Sequence, residues 1–583
     1  VAHLLHFVVG FALLLHVLFW GVGAAMLTMP RPWRRFWPVV VAPLGFALQS
    51  AVVWAGAHFE LPGTNSYAGV SEILPLALLG FGLRRFRLRA ACTDFARFGL
   101  VWLAVAGSLA ALILPLAFAS KGLTSVSLGS CDVADYAGGA RVLMEFARGS
   151  REGFIGLTEV VRVLSADNYF EYWLRLNHFT PAALIALNGS VLDCAPYELA
   201  SLTGMVLLAG SLPLVFWMAR AVVGYSGGVS LIIALLYGCS PITWYAVAHV
   251  ALGQLLAAQA IALLTWAGIA LWRGRLSWRR GAQFAGVLLA GYWLVLGSYN
   301  FILVLCLVPA VAFAGGLTLW HGDWSRFCRW GVVLLAPLTA CAGLFFGRVS
   351  GLVERFTLLR AYDFGWPVPI LSPEGWLGLV SGPSLEAWPF GLRWLLTALV
   401  GGLFVWALAR ATRLRRPGAW TVVAITAPVM AGYAYLELRG ISLGTNASYD
   451  AYKLLAVFYP LLLPAFCWWV TLRRSRRLVE WLGVVGVLGV VVFLNVVAVG
   501  VFVWRMASPP LRVDRELRQV AKIEDMADVK SINLLLPDMW SRLWANSFLL
   551  RKPHYFPTHT YEARRNTPLR GEWNLESGLI AWE

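Results

Sequence analysis

Apolar runs long enough to cross a bilayer recur from one end of this chain to the other, and that recurrence leaves room for few folds. A helix needs about 20 predominantly apolar residues to span the hydrocarbon core. Such runs lie near 4–28, 37–58, 69–84, 99–119, 198–220, 226–245, 253–272, 281–299, 300–319, 331–347, 392–410, 419–436, 452–472 and 481–503, about fourteen spans. Of 583 residues 59% are hydrophobic and 13% are charged, with mean hydropathy +0.70, whereas a soluble domain carries roughly 25% charge. The expected fold is therefore an all-α polytopic membrane protein.

A net charge of +17 would suggest nucleic acid as a partner if the chain were soluble, but its placement excludes that. The arginines cluster in alternate connections: Arg31, Arg34 and Arg35; Arg84, Arg85, Arg87 and Arg89; Arg273, Arg275, Arg279 and Arg280; Arg326 and Arg329; Arg410, Arg413, Arg415 and Arg416; Arg473, Arg474, Arg476 and Arg477. The positive-inside rule assigns all six sets to the cytoplasm. The remaining connections then face out, among them 120–179, 348–391, 437–451 and the tail after Trp504. The N-terminus falls outside, and the first span lacks the basic flank and cleavage site of a signal peptide. The chain thus divides into a transmembrane domain, 1–504, and a small extracytoplasmic α/β domain, 505–583. Its Arg and Gly usage is compatible with a bacterial inner membrane.

In that tail, 513–527 reads as an amphipathic helix, Ser531–Leu536 as a strand, Asp538–Leu550 as a helix and 553–557 as an extended piece. Cys131 and Cys194 both fall in outer segments, where disulfides persist, so a bridge closing the first outer loop is one reading and two unpaired thiols the other. Asn188 and Asn446 lie in N-x-S sequons on the same side. The polar mass is concentrated outside rather than at mid-bilayer, and no internal repeat is visible.

Chemistry is expected in the outer loops. The stretch SLGSCDVADYAGGARVLMEF follows the span at 99–119 and carries Asp132 and Asp135, three residues apart and so on one face of a helix. A carboxylate there could take a proton from an acceptor hydroxyl, or hold a divalent cation such as Mg²⁺ or Mn²⁺ through oxygen ligands. Equally, Asp132 at an N-cap with Asp135 at the third helical position would only stabilise the helix start. No His/Cys/Asp cluster makes a metal specific. The segment 360–389 combines Asp363, Glu374 and Glu386 with Trp366, Trp376 and Trp388, a mixture that suits sugar binding and also suits interfacial anchoring.

These features resemble the membrane-embedded GT-C glycosyltransferases. An acidic motif opens a long outer loop, followed by NHFTPAALIAL, by SPITWYAVAHVALGQLLAAQAIALL with its Pro-broken turn and Gly-Gln helix start, and by SYDAYKLLAVFYPLLLP with a Lys before a Pro-containing span. The plan is similar to that of protein mannosyltransferases and of aminoarabinose transferases over about 120–480, although four spans here precede the acidic loop. The resemblance implies that Asp132 or Asp135 is the base or positions the acceptor, with Asp132 preferred because it opens the motif. It implies that Lys453, with Arg439 second, meets the phosphate of a polyprenyl-phosphate donor. Tyr136, His178, His249, Tyr449, Asp363 and Trp366 are then substrate-binding candidates, the two histidines equally readable as structural.

Three functions follow from different classes. The first is an inverting transferase moving a hexosyl or pentosyl unit from a polyprenyl-phosphate-linked sugar to an extracytoplasmic glycan, lipid or protein acceptor. The second is a transporter or lipid or polysaccharide flippase, and the third a non-catalytic cell-envelope assembly protein.

Overall fold

The computed structural model describes residues 2–86, 88–152, 170, 178–352, 368–413, 418–444, 448–472, 478–530, 532–534, 536, 538–552, 554–555, 573–574 and 579–580. Among them, 12 helical segments are long and apolar enough to cross a membrane, or 13 if the bent pair Gly227–Gly238 and Pro241–Ala248 is one span. The expected span at 281–299 is a helix, Trp278–Gly297, but falls outside that count. Arg279, Arg280 and Gln283 in its first turns lower its mean hydropathy.

The chain opens with α1 (Ala2–Thr28) and α2 (Val41–His58). Their backbones touch because glycine occupies both points of closest approach. A Cβ on Gly21 would lie 1.9 Å from the Val41 carbonyl oxygen, and one on Gly45 2.2 Å from that of Val17. Without water to drive apolar association, such small-residue contacts are what hold membrane helices together. Next come α3 (Thr64–Ser71) and α4 (Ile73–Arg85), which form one span, then α5 (Leu88–Ala96) and α6 (Gly99–Ala119). The connection after α6, expected on the outer side, carries β1 (Val126–Ser127) and α7 (Asp132–Glu145), and is followed by α8 (Phe179–Leu192) and α9 (Pro196–Trp217). The bent pair is α10 (Gly227–Gly238) and α11 (Pro241–Ala248), and α12 (Leu252–Arg273) and α13 (Trp278–Gly297) follow. The remaining long helices are α14 (Val308–His321), α15 (Trp324–Leu344), α16 (Phe390–Arg413), α17 (Gly418–Leu443), α18 (Ser448–Phe466) and α19 (Leu478–Ala507).

The spans containing α9 and α12 are wholly buried and that of α18 is 94% buried, whereas those of α4 and α16 are 17% buried. Helices apolar all round belong at the centre of a bundle or against lipid, and this chain uses both positions. The arginine-bearing connections meet one another at one end of the bundle. Arg85 donates to the Leu27 carbonyl, Arg34 lies 3.9 Å above the Phe86 ring, and Arg273 donates to Thr421 Oγ1 at 2.8 Å.

Not all polar mass lies outside. His16 Nε2 is 2.7 Å from Glu72 Oε1, which also accepts from Trp20 Nε1 at 3.2 Å. His16 Nδ1 contacts Asn188 Oδ1 at 2.6 Å, and Asn188 Nδ2 donates to Gln49 Oε1 at 3.0 Å. This network joins α1, α2 and α8 to the α3/α4 span. It also removes Asn188 from consideration as a surface sequon, because its side chain is buried; Asn446 lies outside the described residues.

Beyond α19, β2 (Leu511–Arg512) pairs antiparallel with β1. A short helix, Arg515–Gln519, a 3₁₀ turn, β3 (Ile532–Asn533), α20 (Met539–Phe548) and β4 (His554–Tyr555) follow, with β3 and β4 parallel. The tail is docked on the first outer loop: Val513 N–H donates to Ser125 O at 3.0 Å, and Thr124 Oγ1 to Val513 O at 2.8 Å. Buried Trp540, Trp544 and Phe548 give α20 its apolar face.

Candidate active site

The acidic motif is helical. Cys131 occupies the N-cap without a side-chain capping bond, and Asp132 and Asp135 lie within the first turn of α7. Asp132 is therefore not the N-cap residue that a purely structural reading would make it. It is exposed, while Asp135 is half-buried. The next residue, Tyr136, is fully buried. The Gly253 amide, one of the donors an α-helix leaves unpaired in its first turn, serves the Tyr136 hydroxyl. Burial above all, and then the charges of Asp132 and Asp135 together with Tyr299, hold the Tyr136 phenol well above its ordinary value, so it stays protonated.

Around Tyr136 the ends of separate helices supply a wall of rings. The His178 ring lies 6.0 Å from Tyr136 and 5.0 Å from Tyr299. Tyr245 stacks on His249 at 4.0 Å and meets Tyr452 edge-on at 4.9 Å, and Tyr452 lies parallel to Tyr449 at 6.5 Å. Gly253 makes this approach feasible: a Cβ there would come within 2.9 Å of Tyr299 Cε1 and 3.4 Å of His178 Nδ1. Gln254 Nε2 donates to Tyr452 Oη at 3.3 Å, and Tyr452 Oη to the Ile242 carbonyl at 3.0 Å.

Charge of both signs converges on Tyr449. Lys453 Nζ sits 3.9 Å above the centre of its ring, and Asp132 acts on the Tyr449 phenol electrostatically. Lys453 also lies 3.8 Å from Asp450 Oδ1. His178 Nδ1 donates to the Ser298 carbonyl at 2.6 Å. His249 Nδ1 donates to the Tyr245 carbonyl at 2.9 Å, and burial pushes its pKa down to about 4. His249 is thus a neutral ring near pH 7, suited to hydrogen bonding and not to neutralising phosphate. It precedes Val250, whose φ of 51° is unusual for a β-branched residue. This turn is tied to the acidic loop by Leu128 N–H donating to the Ala248 carbonyl at 3.0 Å.

Other expected residues are not brought here. Arg439 is exposed on α17. Glu437, two residues earlier and so on a different face of the helix, is the one turned toward α18, accepting from Ser448 Oγ at 2.6 Å. Asp363 and Trp366 lie outside the described residues. Of the rest of that segment, Glu374 is buried against Arg393 at 3.4 Å and accepts from Thr397, while Trp376 donates to the Leu371 carbonyl and stacks on Phe466. Both serve packing. Cys131 and Cys194 carry thiols and are not bridged. Cys194 lies near Met144 at the far end of α7, roughly 20 Å along the helix from Cys131, whereas a bridge needs Cα atoms within about 7 Å. Burial, with Glu198 and Asp193, pushes its thiol up to about 11.

Tyr245, Tyr299, Tyr452 and Arg348 belong to this region and were not singled out from sequence, and Gln254 is the Gln of the Gly-Gln helix start. Arg348 is wholly buried; it donates to the Leu296 carbonyl and, at 3.4 Å, to Ser298 O, which also receives His178. The one available signal was an arginine at the end of an apolar run. Among the described residues no three His, Cys, Asp or Glu side chains converge as metal ligands. Asp132 and Asp135 could supply carboxylate oxygens to Mg²⁺ or Mn²⁺, which commonly take one or two carboxylates and complete the shell with water and substrate phosphate.

No family model matches this chain. No curated protein matches it either. Among solved structures it is similar to the crystal structure of the Archaeoglobus fulgidus oligosaccharyltransferase in complex with zinc and sulfate, at 11% identity and a TM-score of 0.42. The alignment covers 78% of this chain and 62% of that one, so the chain spans less than two thirds of that protein's length.

Proposed function

We propose that this protein is a membrane glycosyltransferase that moves a sugar from a polyprenyl-phosphate donor to an acceptor on the extracytoplasmic face, with inversion. The observation that carries the reading is the convergence of the Asp132 carboxylate and the Lys453 ammonium on Tyr449, in a ring-lined site above buried apolar helices. Asp132 takes the proton of the acceptor hydroxyl as its oxygen attacks the anomeric carbon. The bond from that carbon to the phosphate oxygen breaks, and polyprenyl phosphate leaves with the electron pair. Lys453 stabilises the negative charge that develops on the phosphate, an effect that grows as water is excluded. His178 and Tyr449, the partly exposed members of the wall, offer ring faces and hydrogen bonds to a sugar, with buried Tyr136 and Tyr299 packed beside His178, and the lipid-facing helices accommodate the polyprenyl tail. Six arginine clusters in alternate connections support an outward-facing site; a bacterial inner membrane, with which the Arg and Gly usage is compatible, is the proposed setting.

The test is transfer from polyprenyl-phosphate sugars to total envelope acceptors by purified wild type and Asp132→Asn, matched for amount in the membrane. The expected result is loss of transfer by roughly 10²–10⁴. Full activity in Asp132→Asn removes the named base. A second reading, a lipid or polysaccharide flippase, is favoured by the His16–Glu72 pair inside the bilayer and by the 41° break between α10 and α11, since buried ionisable pairs and broken helices mark transport pathways. Movement of labelled lipid-linked sugar across vesicles, unaffected by Asp132→Asn, would select it.

A further inference from the structure

At the opposite end of the bundle from the acidic loop, a shallow, open pocket of about 490 Å³ is lined by Arg273, Gly274, Arg275, Leu276, Arg326 and Arg329. An orienting role in membrane insertion asks only that arginines lie on one face. It does not ask that four of them, from the end of α12, its following loop and the first turns of α15, share one concavity against their mutual repulsion. Backbone and ring contacts hold two of them in place. Arg326 donates to the Trp272 and Gly274 carbonyls at 2.5 and 3.2 Å and lies 4.9 Å over the Trp272 ring. Arg273 donates to the Ala221 carbonyl at 3.2 Å and to Thr421 Oγ1 at 2.8 Å, with the Phe313 ring 5.2 Å away. Arg329 Nε donates to the Ser325 carbonyl at 3.3 Å. Among the described residues no carboxylate lines the pocket. Asp323, the N-cap of α15, stands 4.0 Å from Arg326 beside it.

The pocket therefore has a surplus of positive charge and fixed guanidinium groups, which match the oxygens of a phosphate. Its surroundings choose the source of that phosphate. Trp278 and Trp324, which begin α13 and α15, and Trp320, in the last turn of α14, are 70%, 55% and 85% exposed. Exposed Trp at the ends of membrane spans marks headgroup depth. We infer that this pocket binds the phosphodiester headgroup of an anionic phospholipid.

The experiment is native mass spectrometry of the purified full chain in detergent with dioleoylphosphatidylglycerol or dioleoylphosphatidylcholine, with and without millimolar inorganic phosphate. Wild type should retain phosphatidylglycerol in preference, and inorganic phosphate should not displace it. Each arginine near an anionic headgroup is worth roughly fivefold in binding, so Arg275→Gln/Arg329→Gln should lose on the order of 25-fold. Arg31→Gln/Arg35→Gln, which removes the same charge from another arginine cluster, should retain wild-type binding. If the double variant does not accumulate, the single variants decide, at about fivefold each. Equal retention of both lipids, displacement by inorganic phosphate, or equal loss in the two glutamine pairs overturns the proposal.

Discussion

Arg141 is the hinge pin between the acidic helix and the tail, and replacing it gives the most quantitative test of how the site is held. Its guanidinium bonds Glu145 at 2.6 Å and Glu524 at 2.5 Å, and donates to the Ser547 carbonyl at 3.1 Å. The side chain is 17% exposed and that of Glu524 only 8%. Burial works against the charge, and the two carboxylates more than offset it, raising the Arg141 pKa. Breaking a buried pair from one side costs about 3–5 kcal/mol. Here the orphaned acids keep part of their company: Arg551 stays 2.6 Å from Glu145, and its amide donates to Glu524 Oε1 at 2.8 Å. The expected cost of Arg141→Met is thus nearer 2 kcal/mol, about 30-fold in the local opening equilibrium. Hydrogen exchange of the amides of α20, which packs on α7, reads this directly. Those amides should exchange about 30-fold faster in Arg141→Met. Adding Glu524→Met should restore part of the protection, because no unpaired buried carboxylate remains. Wild-type exchange in the single variant, or further loss in the double, would refute the assignment of the clamp to this charge pair.

Three further outcomes are expected. Lys453→Met should lower the transfer rate by roughly 10²–10³ with little change in protein level, measured by single-turnover transfer, because the proposed mechanism places that charge next to the leaving phosphate. Gly253→Ala should force Tyr299 aside, since its Cβ would lie 2.9 Å from that ring; kcat/KM should fall more than tenfold while the unfolding midpoint moves little. Burial pushes the pKa of His554 from 6.5 down to about 4, so its neutral form fits the fold and its protonated form does not. Stability from this group is whole above pH 6.5 and is lost as pH falls from 6.5 toward 4, by up to roughly 3 kcal/mol. Limited proteolysis at 538–552 should accelerate over that window in wild type and not in His554→Phe.

The spans were legible because a bilayer demands length and apolarity, both written locally in the chain. The helix at Asp132 and Asp135 was legible for the same reason, since one-face spacing is local information. What escaped depends on packing between distant segments. Tyr245, Tyr299 and Tyr452 each sit near a helix end where a tyrosine reads as an interfacial anchor, and only packing between distant segments joins Tyr245 to Tyr452 and brings Tyr299 and His178 against Gly253. Arg439 and Glu437 differ by two residues on one helix, and no periodicity says which of them faces α18. Cys131 and Cys194 share a compartment in the reading by charge, but sequence gives no distance between them. The His16–Glu72 pair was hidden because each residue is a lone polar position inside an apolar run.

The seam between the first outer loop and the tail sets a timetable for this molecule. Arg141 and Glu524 are 383 positions apart. At ribosomal rates of about 5–20 residues per second, the helix bearing Asp132 waits roughly 20–80 s for the segment that clamps it. A chain interrupted anywhere in between carries the acidic motif without its fastening. If the proposed function holds, activity is thereby reserved for molecules whose last helices have been threaded, and a half-made copy in the membrane would have no means of consuming lipid-linked sugar.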